Sequence, residues 1–126
     1  MIQMRQILVI LTLMICSTGF SQTQSEINEN ANEAYKKADK ELNVVYQKIL
    51  EKNKSDSVFI KNLKASQRIW ITFRNAEVKV RFPEREPGYY GSMLPMCIST
   101  FLEKFTKERI TALKKYLDEI QEDGCM

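Results

Sequence analysis

The chain has no histidine among its 126 residues, which removes the side chain that titrates near neutral pH and a frequent metal ligand. No Ser/His/Asp or Cys/His nucleophile can be assembled without one. Cys97 and Cys125 lack zinc-ligand spacing, and Gly88, Gly91 and Gly124 make no glycine-rich phosphate loop. Among 16 acids, Glu77 alone is set apart, because it shares a stripe with the single tryptophan. Leu63 and Glu77 lie seven residues to either side of Trp70, and Gln67 and Phe73 lie three away, so bulk and polarity fall on one helical face. A carboxylate placed there is either a catalytic acid of raised pKa or the partner of an arginine from a neighbouring helix. The ion pair is the expected reading, because a buried charge is tolerated when it is paired. The inward polar residues Asp39, Asn43, Gln67, Arg74, Glu77 and Arg109 then read as one interhelical network fixing register around a core that includes Trp70 and Phe73. These residues point away from an enzyme: no catalytic group, metal site or cofactor is expected.

The elements that must position these groups are helices. From Ser25 to Asn53, Ile27, Ala31, Ala34, Ala38, Leu42, Val45 and Ile49 recur at steps of three and four. The start is either a Ser25 cap or a capping box of Thr23 and Glu26. Ser55 or Asp56 can cap a second helix with Phe59, Leu63, Trp70, Phe73 and Val80 inward, which must stop near Phe82 because Pro83 disfavours helical backbone before it. Ser92 can cap a third, with Pro95 in its first turn and Met93, Met96, Cys97, Phe101, Phe105, Leu113, Tyr116, Leu117 and Ile120 inward, ending at Asp123-Gly124. The expectation is an all-α fold, an elongated antiparallel three-helix bundle running up, down and up, with the third helix continuous, kinked, or broken near Thr106 by a new helix that Thr106 caps. That choice governs the cysteines. On one straight helix Cys97 and Cys125 would lie about 42 Å apart, beyond disulfide reach, and a fold-back near Thr106 would let them meet.

Ahead of the helices, Arg5 precedes a continuous apolar run over residues 7–15, small residues Gly19 and Ser21 flank Phe20, and Gln22-Thr23-Gln24 turns polar. This predicts a secretory signal peptide over residues 1–21, cut after Ser21, and a periplasmic or secreted domain over residues 22–126. The apolar run is too short to span a bilayer, which takes about 20 residues. Ile15 before Cys16 is the wrong residue for a lipoprotein cut, so Cys16 reads as part of that run. With residues 1–21 removed the balance falls from +3 to +2 with both signs interspersed, which argues against a nucleic-acid partner. After the cut no stable membrane anchor remains, and a monomer is expected.

Several runs carry a family resemblance. Asn28, Ala31, Tyr35, Ala38-Asp39, Glu41-Leu42-Asn43 and Tyr46 form one; Gln67-Arg68, Trp70, Phe73-Arg74 and Ala76-Glu77 a second; Gly91-Ser92, Pro95-Met96, Leu102, Thr106, Arg109 and Leu113 a third. In these the chain resembles the LprI-type lysozyme inhibitor family, small exported bacterial domains named after a mycobacterial lipoprotein credited with inhibiting lysozyme. The resemblance implies an all-helical fold and inhibition of lysozyme by an exported binding protein. The chain departs from many members in having Asn30, Val78 and Phe101 where they carry cysteines, so their disulfides are not implied here. An inhibitor needs a protruding group to enter a sugar-binding cleft, and the irregular segment between the second and third helices offers Glu84, Arg85, Glu86, Tyr89 and Tyr90. Vertebrate lysozymes are strongly basic, so a domain near +2 gains no long-range steering toward them and relies on local complementarity. The other reading is a cell-envelope structural or adaptor module that binds another protein and leaves lysozyme untouched.

Overall fold

The computed structural model describes residues 22–118; the expected signal peptide over residues 1–21, Cys16 within it, Ile120, the Asp123-Gly124 helix end and Cys125 lie outside the described residues. Among the described residues there are three long α-helices and no strand: α1, Gln24–Lys52; α2, Ser57–Arg81; and α3, Leu94–Lys114, preceded by a 3-10 turn, Gly91–Met93. At 1.5 Å per residue they are about 44, 38 and 32 Å long.

Local chemistry sets most of the boundaries. The Thr23 hydroxyl accepts the Glu26 amide at 3.2 Å while the Glu26 carboxylate accepts the Thr23 amide at 3.0 Å, so the capping box and not Ser25 starts α1. Asp56 caps α2 by accepting the Phe59 amide at 2.9 Å, and the helix gives out at Phe82 ahead of Pro83. The expected Ser92 cap is not formed. Ser92 belongs to the 3-10 turn, its carbonyl accepts from Asn28 Nδ2 at 3.0 Å, and α3 begins at Leu94 with Pro95 in its first turn, where a missing amide hydrogen leaves nothing unsatisfied. α3 runs unbroken through Thr106, so no fourth helix starts there, and residues 115–117 turn where a longer helix was expected. Cys97 is a half-buried free thiol on this continuous helix.

α1 and α3 run side by side in the same direction. Asn28 meets Ser92 at one end, and at the other Lys52 Nζ donates to the Leu117 carbonyl at 2.8 Å. α2 runs antiparallel to both, with Phe59 against Tyr116 and Phe82 against Phe101. The up, down, up order is therefore as the helix-length pattern implies. The closest backbone approach is between α1 and α3, where Ala38 and Ser99 are buried; α2 lies lightly against α3. Leu42, Val45 and Ile49 from α1, Ile110 and Leu113 from α3 and Leu63 from α2 form the core, with Tyr46, Leu50, Phe59, Trp70 and Leu117 packed around it.

The face α2 turns inward is not the one its large residues suggest. Leu63, Gln67 and Arg74 are its buried residues, with Trp70 half-buried beside them. Phe73 and Val80, expected inside, are 51% and 73% exposed. At 100° per residue they sit about 80° and 100° around the helix from Leu63, past the edge of the buried stripe. Met93 and Tyr116, also expected inside, are exposed because the first lies ahead of α3 and the second beyond its end.

Candidate functional site

Two constructions bear on function: a polar layer around Trp70, and the segment between α2 and α3. In the first, Arg74 crosses from α2 and Nη1 donates to Asp39 on α1 at 3.1 Å and to the Thr106 hydroxyl on α3 at 3.3 Å. A single guanidinium thus ties all three helices. It is almost fully buried, which is tolerable because it is paired and because its carbon stands over the rings of Trp70 at 5.0 Å and Tyr35 at 5.6 Å. Its Nε has no hydrogen-bond partner among the described residues. One turn along, Arg109 on α3 donates from Nε to Gln67 at 3.0 Å and from Nη2 to Ser66 at 3.2 Å, with its guanidinium 5.8 Å from the Trp70 ring. Trp70 is therefore flanked by two cations and stacks on Phe105 at 6.3 Å. Burial lowers the Arg109 pKa, and burial also raises that of Tyr35, where Arg74 pulls the other way and Asp39 adds to the rise.

The structure brings Asp39, Gln67, Arg74 and Arg109 together and leaves two expected members out. Asn43 is exposed on the outer face of α1. Glu77 is half-buried, but no arginine reaches it and its side chain makes no hydrogen bond or ion pair among the described residues. It sits three residues past Arg74, whose charge is already directed to Asp39. Thr106, the cap in the broken-helix alternative, is fully buried at the centre of the layer. Heptad spacing held the signal for it: Ser99, Thr106 and Leu113 lie seven residues apart, all three are buried, and Leu113 is plainly core. The hydrogen bonds of this layer run between helices, and at its α1 edge Tyr35 and Asp39 also line an open surface pocket.

The second construction is the segment of residues 83–90, folded into two consecutive turns: the Tyr89 amide donates to the Glu86 carbonyl at 3.2 Å and the Gly91 amide to the Gly88 carbonyl at 3.1 Å. Gly88 and Gly91 have φ of +84° and +66°, a region where side chains with a Cβ are strained, and both turns depend on it. Tyr90 is half-buried and does not project as expected. Its hydroxyl donates to the Pro83 carbonyl at 2.8 Å and its ring meets Phe82 edge-on at 6.2 Å, which closes the segment on itself. Glu84, Arg85, Glu86 and Tyr89 stay exposed, with Tyr89 packed edge-on against Tyr90 at 4.8 Å and the Arg85 guanidinium 5.8 Å from the Tyr89 ring. Ring contacts continue from Phe82 to Phe101 and from Phe101 to Phe105, so an aromatic chain joins the exposed tip to the Trp70 layer. The exposed part of the segment carries both charge signs and an aromatic ring. Among the described residues no group of acids and cysteines could hold a metal ion, and no helix is long and apolar enough to cross a membrane.

Comparison with known proteins places the chain in company. The family model described as Lysozyme inhibitor LprI matches residues 16–113. The Rhizobium meliloti (strain 1021) protein named Uncharacterized protein R02472 is 28% identical over 110 residues, which is 79% of this chain and 77% of that one. No solved structure matches significantly.

Proposed function

Because the chain belongs to the lysozyme inhibitor LprI family, whose members are exported inhibitors and not enzymes, we propose that it is a periplasmic or secreted protein that blocks a lysozyme through the tip formed by residues 84–89. The observation that supports this site is the exposure of Arg85 and Tyr89, in contact with each other, above a base held by Tyr90 and the aromatic chain. Glycoside hydrolases hold two carboxyl groups across the scissile bond in a cleft shaped for sugar rings. An aromatic ring fills a sugar subsite, and a guanidinium beside it pairs with a catalytic carboxylate; Glu84 and Glu86 face the basic rim of such an enzyme. Holding these groups in place before binding lowers the ordering cost of association.

The test is lysis of a cell-wall suspension by c-type, g-type and i-type lysozymes with increasing amounts of the protein. Saturable inhibition of one type is expected. Arg85→Ala and Tyr89→Ala should each weaken it about tenfold or more while helicity by circular dichroism stays unchanged. Unchanged inhibition in both variants removes the tip from the mechanism. No inhibition of any type at high excess rejects the function and leaves an adaptor that binds some other envelope protein.

A further inference from the structure

The outward face of α2 is apolar where a solvated helix should be charged. Val58, Ile69 and Val80 recur every eleven residues and are 67%, 68% and 73% exposed, with Phe73 at the edge nearer α3, 51% exposed and its ring 5.8 Å from that of Phe105. The four fall within about 60° of arc and extend over roughly 33 Å of helix. Asn62 and Ala76 share that arc, with Ala65 and Thr72 along its edge, so no charge interrupts the stripe. Its charges stand to one side: Lys61, Arg68 and Lys79 line the flank facing away from α3. α2 holds six lysines and arginines against one acid, Glu77, and the other described residues hold twelve of each sign. The whole positive excess of the described chain is therefore on the helix that carries the exposed apolar stripe.

We infer that the outer face of α2 is a docking surface for an anionic lipid bilayer, separate from the residue 84–89 tip and independent of any action on lysozyme. A helix lying in the bilayer interface buries an apolar stripe among the acyl chains and lets flanking lysines and arginines reach up to the phosphates. Ile69, Phe73 and Val80 supply the first term and Lys61, Arg68 and Lys79 the second. A second copy packed antiparallel does not fit, because it sets one cationic flank against the other. A protein helix fits less well, since it beds in a groove, and this stripe is a ridge on the outermost side of a single helix. The attachment is weak and reversible, and salt weakens it further.

The test is co-sedimentation of the full chain, purified in its exported form, with vesicles of phosphatidylglycerol and phosphatidylethanolamine and with vesicles of phosphatidylcholine alone. Binding to the first, little to the second, and loss on raising salt are expected. Lys61→Gln with Lys79→Gln should weaken binding roughly thirtyfold, and Ile69→Ser with Val80→Ser at least as much, with circular dichroism unchanged because all four side chains are exposed. Both variants carry the same N-terminus as the parent, so a loss in them reports α2 alone. Equal binding to both vesicle types, variants that bind like the parent, or no vesicle binding together with dimers in sedimentation would each overturn the inference.

Discussion

α1 meets α3 through a different kind of surface from the one that holds α2. Between α1 and α3 the buried residues are Ala38, Leu42, Val45, Ile49, Ser99, Thr106, Ile110 and Leu113, mostly small or aliphatic, and the backbones come close. α2 contributes one buried aliphatic residue, Leu63, with Gln67 and Arg74, and otherwise leans on the half-buried Trp70. The first contact draws its stability from burial and packing, which are non-directional. The second depends on directed hydrogen bonds and cation–ring contacts, which fix angle and register and contribute less. α2 should therefore be accurately placed and less firmly held, a suitable condition for the helix whose outer face is free.

That contrast gives a graded set of outcomes. Leu113→Ala or Ile49→Ala removes a fully buried side chain and should lower stability by about 2 to 5 kcal/mol in urea unfolding, loosening all three helices together. Trp70→Ala should lower it by roughly 2 kcal/mol, below the 3 to 5 of a fully buried ring, because Trp70 is half exposed. Amide exchange should separate the two cases: Trp70→Ala speeds exchange in α2 more than in α1 or α3, whereas Leu113→Ala speeds it throughout. Uniform acceleration in the tryptophan variant would erase the distinction between the two contacts.

Arg74→Met sharpens the same point. It keeps the stem and removes the bonds to Asp39 and Thr106. Asp39 is 40% exposed and can be rehydrated, whereas the fully buried Thr106 hydroxyl loses a bond that water does not replace, so the expected loss is about 1 to 2 kcal/mol, short of the penalty for stranding a buried charge. A smaller effect again is expected at the tip: Tyr90→Phe removes the bond to the Pro83 carbonyl, costs about 1 kcal/mol or less, leaves helicity unchanged and should raise exchange at Tyr89 and Gly91.

What could be read from the sequence follows from range. The Thr23 and Glu26 box, the Asp56 cap and the Pro83 stop rest on residues within one turn of each other, and all three are realised. The family and the all-helical fold were legible in the same way, from runs that lie within single helices or, for the third, begin in the turn that leads into α3. Failures arise where a helix has two candidate inner faces. α2 places Gln67 and Arg74 inward and Ile69, Phe73 and Val80 outward, so the usual rule of apolar inside picks the wrong edge of the stripe. Glu77 misleads for a related reason, since a carboxylate on the inner stripe acquires a partner only if an arginine from another helix points at it, and Arg109 is turned to Gln67 and Ser66. Direction of a long side chain is a tertiary property that spacing does not encode. Thr106 is the reverse case, a small polar residue that left a cap open as an alternative although its heptad neighbours Ser99 and Leu113 are buried.

The smallest effect tests the polar layer through pH. Tyr35 has its pKa raised above the ordinary tyrosine range near 10, chiefly by burial; Arg74 opposes the rise, and Asp39 contributes to it. A raised folded-state value means the folded chain holds the phenol proton more tightly than the unfolded one. The corresponding stability is fully present below about pH 10 and is lost as pH climbs through the folded value. Tyr35→Phe keeps the ring near Arg74 and removes the proton, so urea midpoints of parent and variant should fall differently above about pH 10, the parent more steeply. Other groups titrate in both proteins and cancel in the difference. Parallel curves would mean that Tyr35 is already hydrated in the folded chain, and that the ring facing Arg74 from α1 is part of the surface and not of the layer that holds α2.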